Sequence, residues 1–350
     1  MDKKKAGIIT FHDADNLGAV LQAYALKTTL EDRCGISAQV IDYKCNKITE
    51  TKYPAKAKGL KGLIKSVPMH IYYTIKRRGF ESFRKAMLDC TEKYTKSTVK
   101  NCEKNFDFFI SGSDQVWNPE CSGGDTSYLL DFVSDNEKKY SYAASLGNYE
   151  ISSADSEWLE HIKCFKIISV REKTSAEQLC KNGADRVSVN CDPVFLLSES
   201  QWQSVMNKRI VSSPYVLVYS VLPDAGLLNR AKEYARKNKC KVISNKKSIE
   251  FILHNSPQDF LSWIYYADCV FTNSFHGTAF SLIFKKKLYS DIRMTNGKIN
   301  SRVNDLLEAA GVFECSKDVF DICIKKDSAE ISIDNMRKAA FEYLESIGGW

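Results

Sequence analysis

The stretch AGIITFHDADNLGAVLQAY, residues 6–24, decides how this chain folds. It opens on the short apolar run Ala6-Gly7-Ile8-Ile9-Thr10 and passes through the polar turn His12-Asp13-Ala14-Asp15-Asn16. Leu17, Val20, Leu21, Tyr24, Ala25 and Leu26 then recur at the spacing of one helix face. Ala38 to Tyr43 reads as the next strand, roughly 30 residues after the first. Strand, turn, helix and strand at this distance predict a parallel βαβ unit, because parallel neighbours need a crossover and a helix usually supplies it.

Working outward, 106–112, 139–145, 167–171 and 187–189 read as further strands. Between them and the first unit, Leu60, Leu63, Ile64, Val67 and Ile71 predict a helix that Pro68 kinks or ends. A second helix is expected around Phe80, Phe83 and Met87. From about Ser198 the plan repeats. Strands are expected at 215–220, 241–244 and 268–272, and helices at 224–238, 257–265 and onward from Ser274 to about Phe284. Helices near 300–311 and 335–346 close the chain. The pattern predicts an α/β protein of two Rossmann-like domains, at 1–198 and 199–350, with the last helix packing back on the N-terminal domain.

The length of 350 residues suits two domains, and a composition of 44% hydrophobic and 27% charged residues gives each an ample core. The start, Met1-Asp2-Lys3-Lys4-Lys5, lacks the apolar core of a signal peptide, and no run is long enough to span a bilayer, so a cytoplasmic location is expected. The twelve cysteines form no Cys-x-x-Cys pair, and Cys34, Cys164, Cys180, Cys240 and Cys269 read as small core side chains. The five histidines are scattered without ligand spacing, so no metal and no cofactor are expected.

The net charge of +7 is uneven: residues 44–100 hold fifteen Lys/Arg against four Asp/Glu, which leaves the remainder acidic. This segment reads as a basic helical insert in the N-terminal domain. Its charge fits a solvated face, or a surface resting on anionic lipid at the inner face of the membrane. It lacks any nucleic-acid-binding motif.

Ligands of open parallel sheets bind outside the carboxyl ends of the strands, so the polar residues there are the candidates. They are Asn16 and Gly18 after the first strand, Ser113, Asp114 and Trp117 after the 106–112 run, and Arg171-Glu172 after 167–171. In the second half they are Ser274, His276 and Gly277, at the start of a helix. A helix N-terminus favours anions, Arg171 offers a planar fork, and His276 and Asp114 can exchange protons. Each has a plainer reading: Asp114 as a helix cap, Arg171-Glu172 as an ion pair, His276 as a structural histidine, Trp117 as core rather than a sugar platform.

Five ordered pieces, Asn16-Leu17-Gly18-Ala19-Val20-Leu21-Gln22-Ala23-Tyr24, Gly112-Ser113-Asp114-Gln115-Val116-Trp117-Asn118, Ser169-Val170-Arg171-Glu172, Asp192-Pro193-Val194 and Thr272-Asn273-Ser274-Phe275-His276-Gly277, together resemble the polysaccharide pyruvyl transferase family. The resemblance runs from about residue 7 to about 290. It implies a GT-B-like fold, two Rossmann-like domains facing a cleft, and transfer of the pyruvyl group of phosphoenolpyruvate to a sugar or lipid-linked oligosaccharide, as a cyclic ketal, in capsule or exopolysaccharide synthesis. It further implies that Ser113, Arg171, Ser274, His276 and Gly277 bind the donor, that His276 is general acid and Asp114 base, and that Asn16, Gly18 and Trp117 face the acceptor. Many members carry Arg-Leu-His where this chain has Ser274-Phe275-His276, and Lys285, Lys286, Arg293 and Lys298 are candidates to replace that arginine. Two other functions remain open: a GT-B glycosyltransferase using a nucleotide sugar, and a glycan-binding homologue without catalysis.

Overall fold

The computed structural model describes residues 3–50, 59–222, 225–291, 301–311, 321–322 and 326–348, with the backbone alone at 59–70, 225, 301, 321–322, 326–329 and 348. The chain forms two compact units. One comprises Met1–Tyr53, Arg84–Leu196 and Met336–Trp350, the other Pro54–Phe83 and Leu197–Asn335.

In the first unit, β1 (Lys5–Ile9), β2 (Ser37–Tyr43), β3 (Cys90–Tyr94), β4 (Phe108–Ser111) and β5 (Lys139–Ser141) make one parallel sheet in the order β3-β2-β1-β4-β5. The central strand β1 sets Ala6 between Ala38 and Phe108. A parallel pair, β6 (Ile168–Val170) and β7 (Val187–Val189), is tied to the β5 segment by the isolated bridges Tyr140–Ile167 and Ala144–Val170. β4 is buried along its whole length, as a strand covered on both faces requires. On one face, Ala6 and Ile8 pack with Leu26 and Leu30 of the helix Leu17–Asp32 and with Ala340, Leu344 and Ile347 near the C-terminus. The other face holds Ile9, Ile41, Phe109, Trp117 and Leu129.

In the second unit, β8 (Tyr215–Tyr219), β9 (Lys241–Ser244), β10 (Cys269–Thr272), β11 (Lys287–Ser290) and β12 (Asp321–Ile322) run in the order β12-β11-β10-β8-β9, with only β12 antiparallel. Val216, Val218, Cys269 and Phe271 pack against Leu227, Ala231 and Ala235 of the helix Ala225–Asn238.

The strand order reverses between β1 and β4 in the first sheet, and between β8 and β10 in the second. At such a switch point the flanking crossovers leave on opposite faces, and the strand ends open a crevice. Both units are therefore Rossmann-like.

Several elements differ from the sequence reading. Residues 54–83 group with the second unit, not with the first as an insert. The helix Gly59–Met87 runs on through Pro68 rather than ending there. The final helix, Lys326–Gly348, starts earlier than expected. Cys180 is exposed rather than core. Among the described residues no helix is long and apolar enough to cross a membrane.

Candidate active site

At the β1–β4 switch point, four of the five motif pieces meet in one buried polar network. Gly112 enters it with φ +124, where a Cβ would collide with the carbonyl of Tyr142, so the position is open only to glycine. Ser113 N–H donates to Gln22 Oε1 (3.1 Å), Thr10 Oγ1 to the Ser113 carbonyl (2.9 Å), and Gln22 Nε2 to Thr10 Oγ1 (2.8 Å). The first motif thus grips the second through Gln22, a residue the sequence reading gave no role. Ser113 itself is fully buried and donates to the Ala143 carbonyl (3.0 Å), so its hydroxyl is already engaged within the protein.

Asp114 follows with φ +73, a left-handed conformation that a non-glycine residue adopts at a cost and that recurs at functional sites. Its Oδ1 accepts from Gln115 N–H at 2.8 Å, and among the described residues no hydrogen bond reaches Oδ2. One carboxylate oxygen is anchored.

Arg171 lies behind this turn with its side chain 3% exposed. Its Nε donates to Glu172 (2.9 Å), Nη1 to Asp192 (2.8 Å) and Nη2 to Ser145 Oγ (3.2 Å). Burial opposes its charge, but Glu172, Asp192 and Asp114 outweigh burial and push the guanidinium above its ordinary value. The planar fork expected to clamp the donor is spent on the protein's own carboxylates. Arg171 is a positioning residue here: it holds the β6 end against Asp192 and the Asp114 turn. Glu172, which also accepts from Ser145 and Ser175, completes the network.

The acceptor candidates divide. Asn16 caps the helix Leu17–Asp32, its Oδ1 accepting from the N–H groups of Gly18 and Ala19 at 3.0 and 3.3 Å, and it remains exposed. Gly18 is buried. Trp117 corrects the sequence reading: it is 0% exposed, donates to Ser111 Oγ and meets Phe165 edge-on, so its face is closed to a sugar.

The turn after β1 is clamped by charges the sequence did not pair. His12 contacts Asp42 through Nε2 at 3.1 Å, and Lys44 bridges Asp13 and Asp42 at 2.7 and 2.8 Å. Arg84 pairs with Asp15 at 2.9 Å. His12, Asp13 and Asp42 offer ligand atoms within 4.8 Å of one another, a geometry able to hold a cation. The Lys44 ammonium already meets both carboxylates.

In the second unit, the fifth piece sits at the β8–β10 switch point. Asn273 Oδ1 accepts from the N–H of Val221 (2.9 Å), fixing the loop after β8. Ser274 caps the helix Phe275–Ile283, its Oγ accepting from Gly277 N–H at 3.3 Å. A Cβ at Gly277 would collide with Thr272 Oγ1, which also accepts from Ser274 N–H, so the helix starts close against the strand end only because this residue has no side chain. His276, half-buried in the first turn, meets the Phe275 ring at 5.1 Å. Lys285 pairs with Glu330 and Lys286 donates to the Tyr265 carbonyl. Both follow the C-terminus of a helix about 13 Å long, so neither stands where an arginine beside His276 would. Arg293 and Lys298 lie outside the described residues.

Comparison with known structures agrees with this architecture. A protein assigned as a UDP-N-acetylglucosamine 2-epimerase from Listeria monocytogenes aligns over 99% of this chain and 94% of its own, with 13% identity and a TM-score of 0.50. The UDP-GlcNAc 2-epimerase of Neisseria meningitidis bound to UDP-GlcNAc aligns over 99% and 94%, with 10% identity and a TM-score of 0.48. The ADP-heptose lps heptosyltransferase II of E. coli aligns over 97% and 99%, with 8% identity and a TM-score of 0.38. At 13% identity the first of these likenesses concerns the fold alone, which is GT-B-like. No curated protein sequence matches the chain. Residues 16–289, well over half of the chain and bracketing every piece of both switch-point sites, match one transferase family. The chain belongs to the polysaccharide pyruvyl transferase family.

Proposed function

We propose that the protein transfers the pyruvyl group of phosphoenolpyruvate to a sugar of a surface or capsular glycan precursor, free or lipid-linked, and closes it as a cyclic ketal. The observation that carries this reading is Asp114: a strained carboxylate at a topological switch point, one oxygen anchored and the other without a hydrogen bond among the described residues. The reaction needs such a base. The donor's methylene carbon takes a proton, and a sugar hydroxyl bonds to the neighbouring carbon while its own proton passes to Asp114. Phosphate leaves with the bonding pair, and a second hydroxyl closes the ring with loss of its proton. His276, in the first turn of a helix whose N-terminal dipole favours anions, is assigned to the donor's phosphate and to proton delivery. Arg171 acts through Asp192 and the Asp114 turn. The proposal routes no step through a metal or a cofactor. The protein is taken to work in the cytoplasm or at the membrane's inner face, where such precursors are assembled.

Thermal-shift titration tests the donor. Phosphoenolpyruvate at about 100 times its dissociation constant adds about 2.7 kcal/mol of stability, a rise of several degrees. Stabilisation by a nucleotide sugar and not by phosphoenolpyruvate would transfer the assignment to glycosyl transfer. A response to glycans alone would leave a binding protein.

A further inference from the structure

Beside the β1–β4 site, outside the carboxyl ends of β2 and β3, the first unit holds an open cavity of about 630 Å³. Its volume lies within the roughly 300–1,000 Å³ of small-molecule sites. Lys44, which follows β2, lines it and reaches the turn after β1 through Asp13. The cavity is thus one strand removed from the Asp114 network and uses none of its residues.

The chemistry of the wall selects a ligand. Hydroxyls come from Thr95, Ser97 and Thr126, an amide from Asn46, a carboxylate from Asp125 and an ammonium from Lys47. Several are fixed from behind before any ligand arrives. Tyr43 donates to Asp125 Oδ2 at 2.6 Å and Ser127 N–H to Oδ1 at 3.0 Å, while Lys96 donates to Thr126 Oγ1 at 2.7 Å and pairs with Asp131. Two of the three lysines are already neutralised, Lys44 by Asp13 and Asp42, Lys96 by Asp131 and Asp125. Only Lys47, exposed and with its stem packed over Gly123, makes no ion pair among the described residues. A compact polyanion such as phosphoenolpyruvate needs concentrated positive charge, which this wall lacks. A nucleotide base needs an open ring face, and Tyr43, the aromatic among the lining residues, is 1% exposed. Interleaved donors and acceptors of balanced charge match a polyhydroxylated ring, whose every hydroxyl both gives and accepts a hydrogen bond.

We propose that this cavity is a saccharide subsite, holding sugar of the acceptor beyond the residue that is modified. The inference rests on the reading of the acceptor as a glycan, and it is tested without turnover. The full chain is applied to a glycan array in the absence of donor, together with Asn46→Trp and Ser97→Trp, which fill the cavity from two separate stretches of its lining. The wild type retains at least one saccharide, and each tryptophan variant binds it at least tenfold more weakly, with an unchanged melting temperature and an unchanged shift with phosphoenolpyruvate. Where a tryptophan variant does not fold, Lys47→Ala, which removes one exposed ammonium, weakens the same saccharide severalfold. A wild type that binds no saccharide overturns the proposal, as does any folded variant that binds like the wild type. If phosphoenolpyruvate shifts no form of the protein while the variants still lose the saccharide, pyruvyl transfer fails and the subsite stands.

Discussion

Asp114 and Arg171 belong to one buried network, and substitution separates what each does in it. Asp114→Asn keeps the anchoring oxygen for Gln115 N–H and removes the base. Turnover should fall by about 10²–10⁴-fold while the melting temperature stays within a few degrees. Arg171→Ala strands Glu172 and Asp192 without their cation. It should cost about 3–5 kcal/mol, seen as a drop of roughly 6–20 °C in the melting temperature. Paired kinetics and thermal melts check both outcomes; a fully stable Arg171→Ala with raised KM for phosphoenolpyruvate would return Arg171 to donor binding. The sequence places both residues at strand ends because the apolar runs before them are unmistakable. It cannot show that Arg171 faces inward, since Asp192 is 21 residues away along the chain and only the fold brings the two to 2.8 Å. Trp117 shows the same limit, because a tryptophan beside a polar turn reads equally as platform or core until Phe165 is seen against it.

At the level of elements, legibility follows hydrophobic contrast. β1, β4 and β8 are predominantly apolar, and β2 turns Ala38, Val40, Ile41 and Tyr43 to the core between polar residues, so all four are readable directly. β3 is an edge strand with the sequence Cys90-Thr91-Glu92-Lys93-Tyr94, and β11 reads Lys287-Leu288-Tyr289-Ser290; neither carries enough apolar contrast to separate it from a loop. The charge clamp on the turn after β1 is equally hidden, because it joins residues of different strands. It nevertheless has a measurable consequence. Burial raises the pKa of Asp42, but hydrogen bonds from His12 and Lys44 outweigh burial and hold the carboxyl well below the ordinary carboxylate range. A depressed folded-state pKa stabilises above the unfolded value of about 3.9, and that stabilisation is lost as pH falls through the folded value. Asp42→Asn should therefore cost about 1–3 kcal/mol at neutral pH, with the gap to wild type closing below about pH 4 in denaturant titrations. A gap independent of pH would show that the carboxyl's charge contributes nothing.

Across the whole molecule, two parallel sheets each place a motif at the point where strand order reverses. That much follows from the βαβ repeat, since the position of a switch point is fixed by which crossover changes side. The membership of 59–83 does not follow, because the long helix Gly59–Met87 carries its Lys and Arg at 61–65 and 76–85 around a middle that has none, and its sequence names no partner. Family membership accounts for the order of the polar turns along the chain in the same terms: each turn supplies one wall of a switch-point site. The most direct measurement supplies the full chain with phosphoenolpyruvate isotopically labelled at the methylene carbon and a pool of lipid-linked saccharides, and follows the label by NMR. The account predicts that the label enters the saccharide as the methyl group of a ketal, with phosphate released in equal amount. Phosphoenolpyruvate left intact, or phosphate released with the label appearing only as free pyruvate, would contradict it.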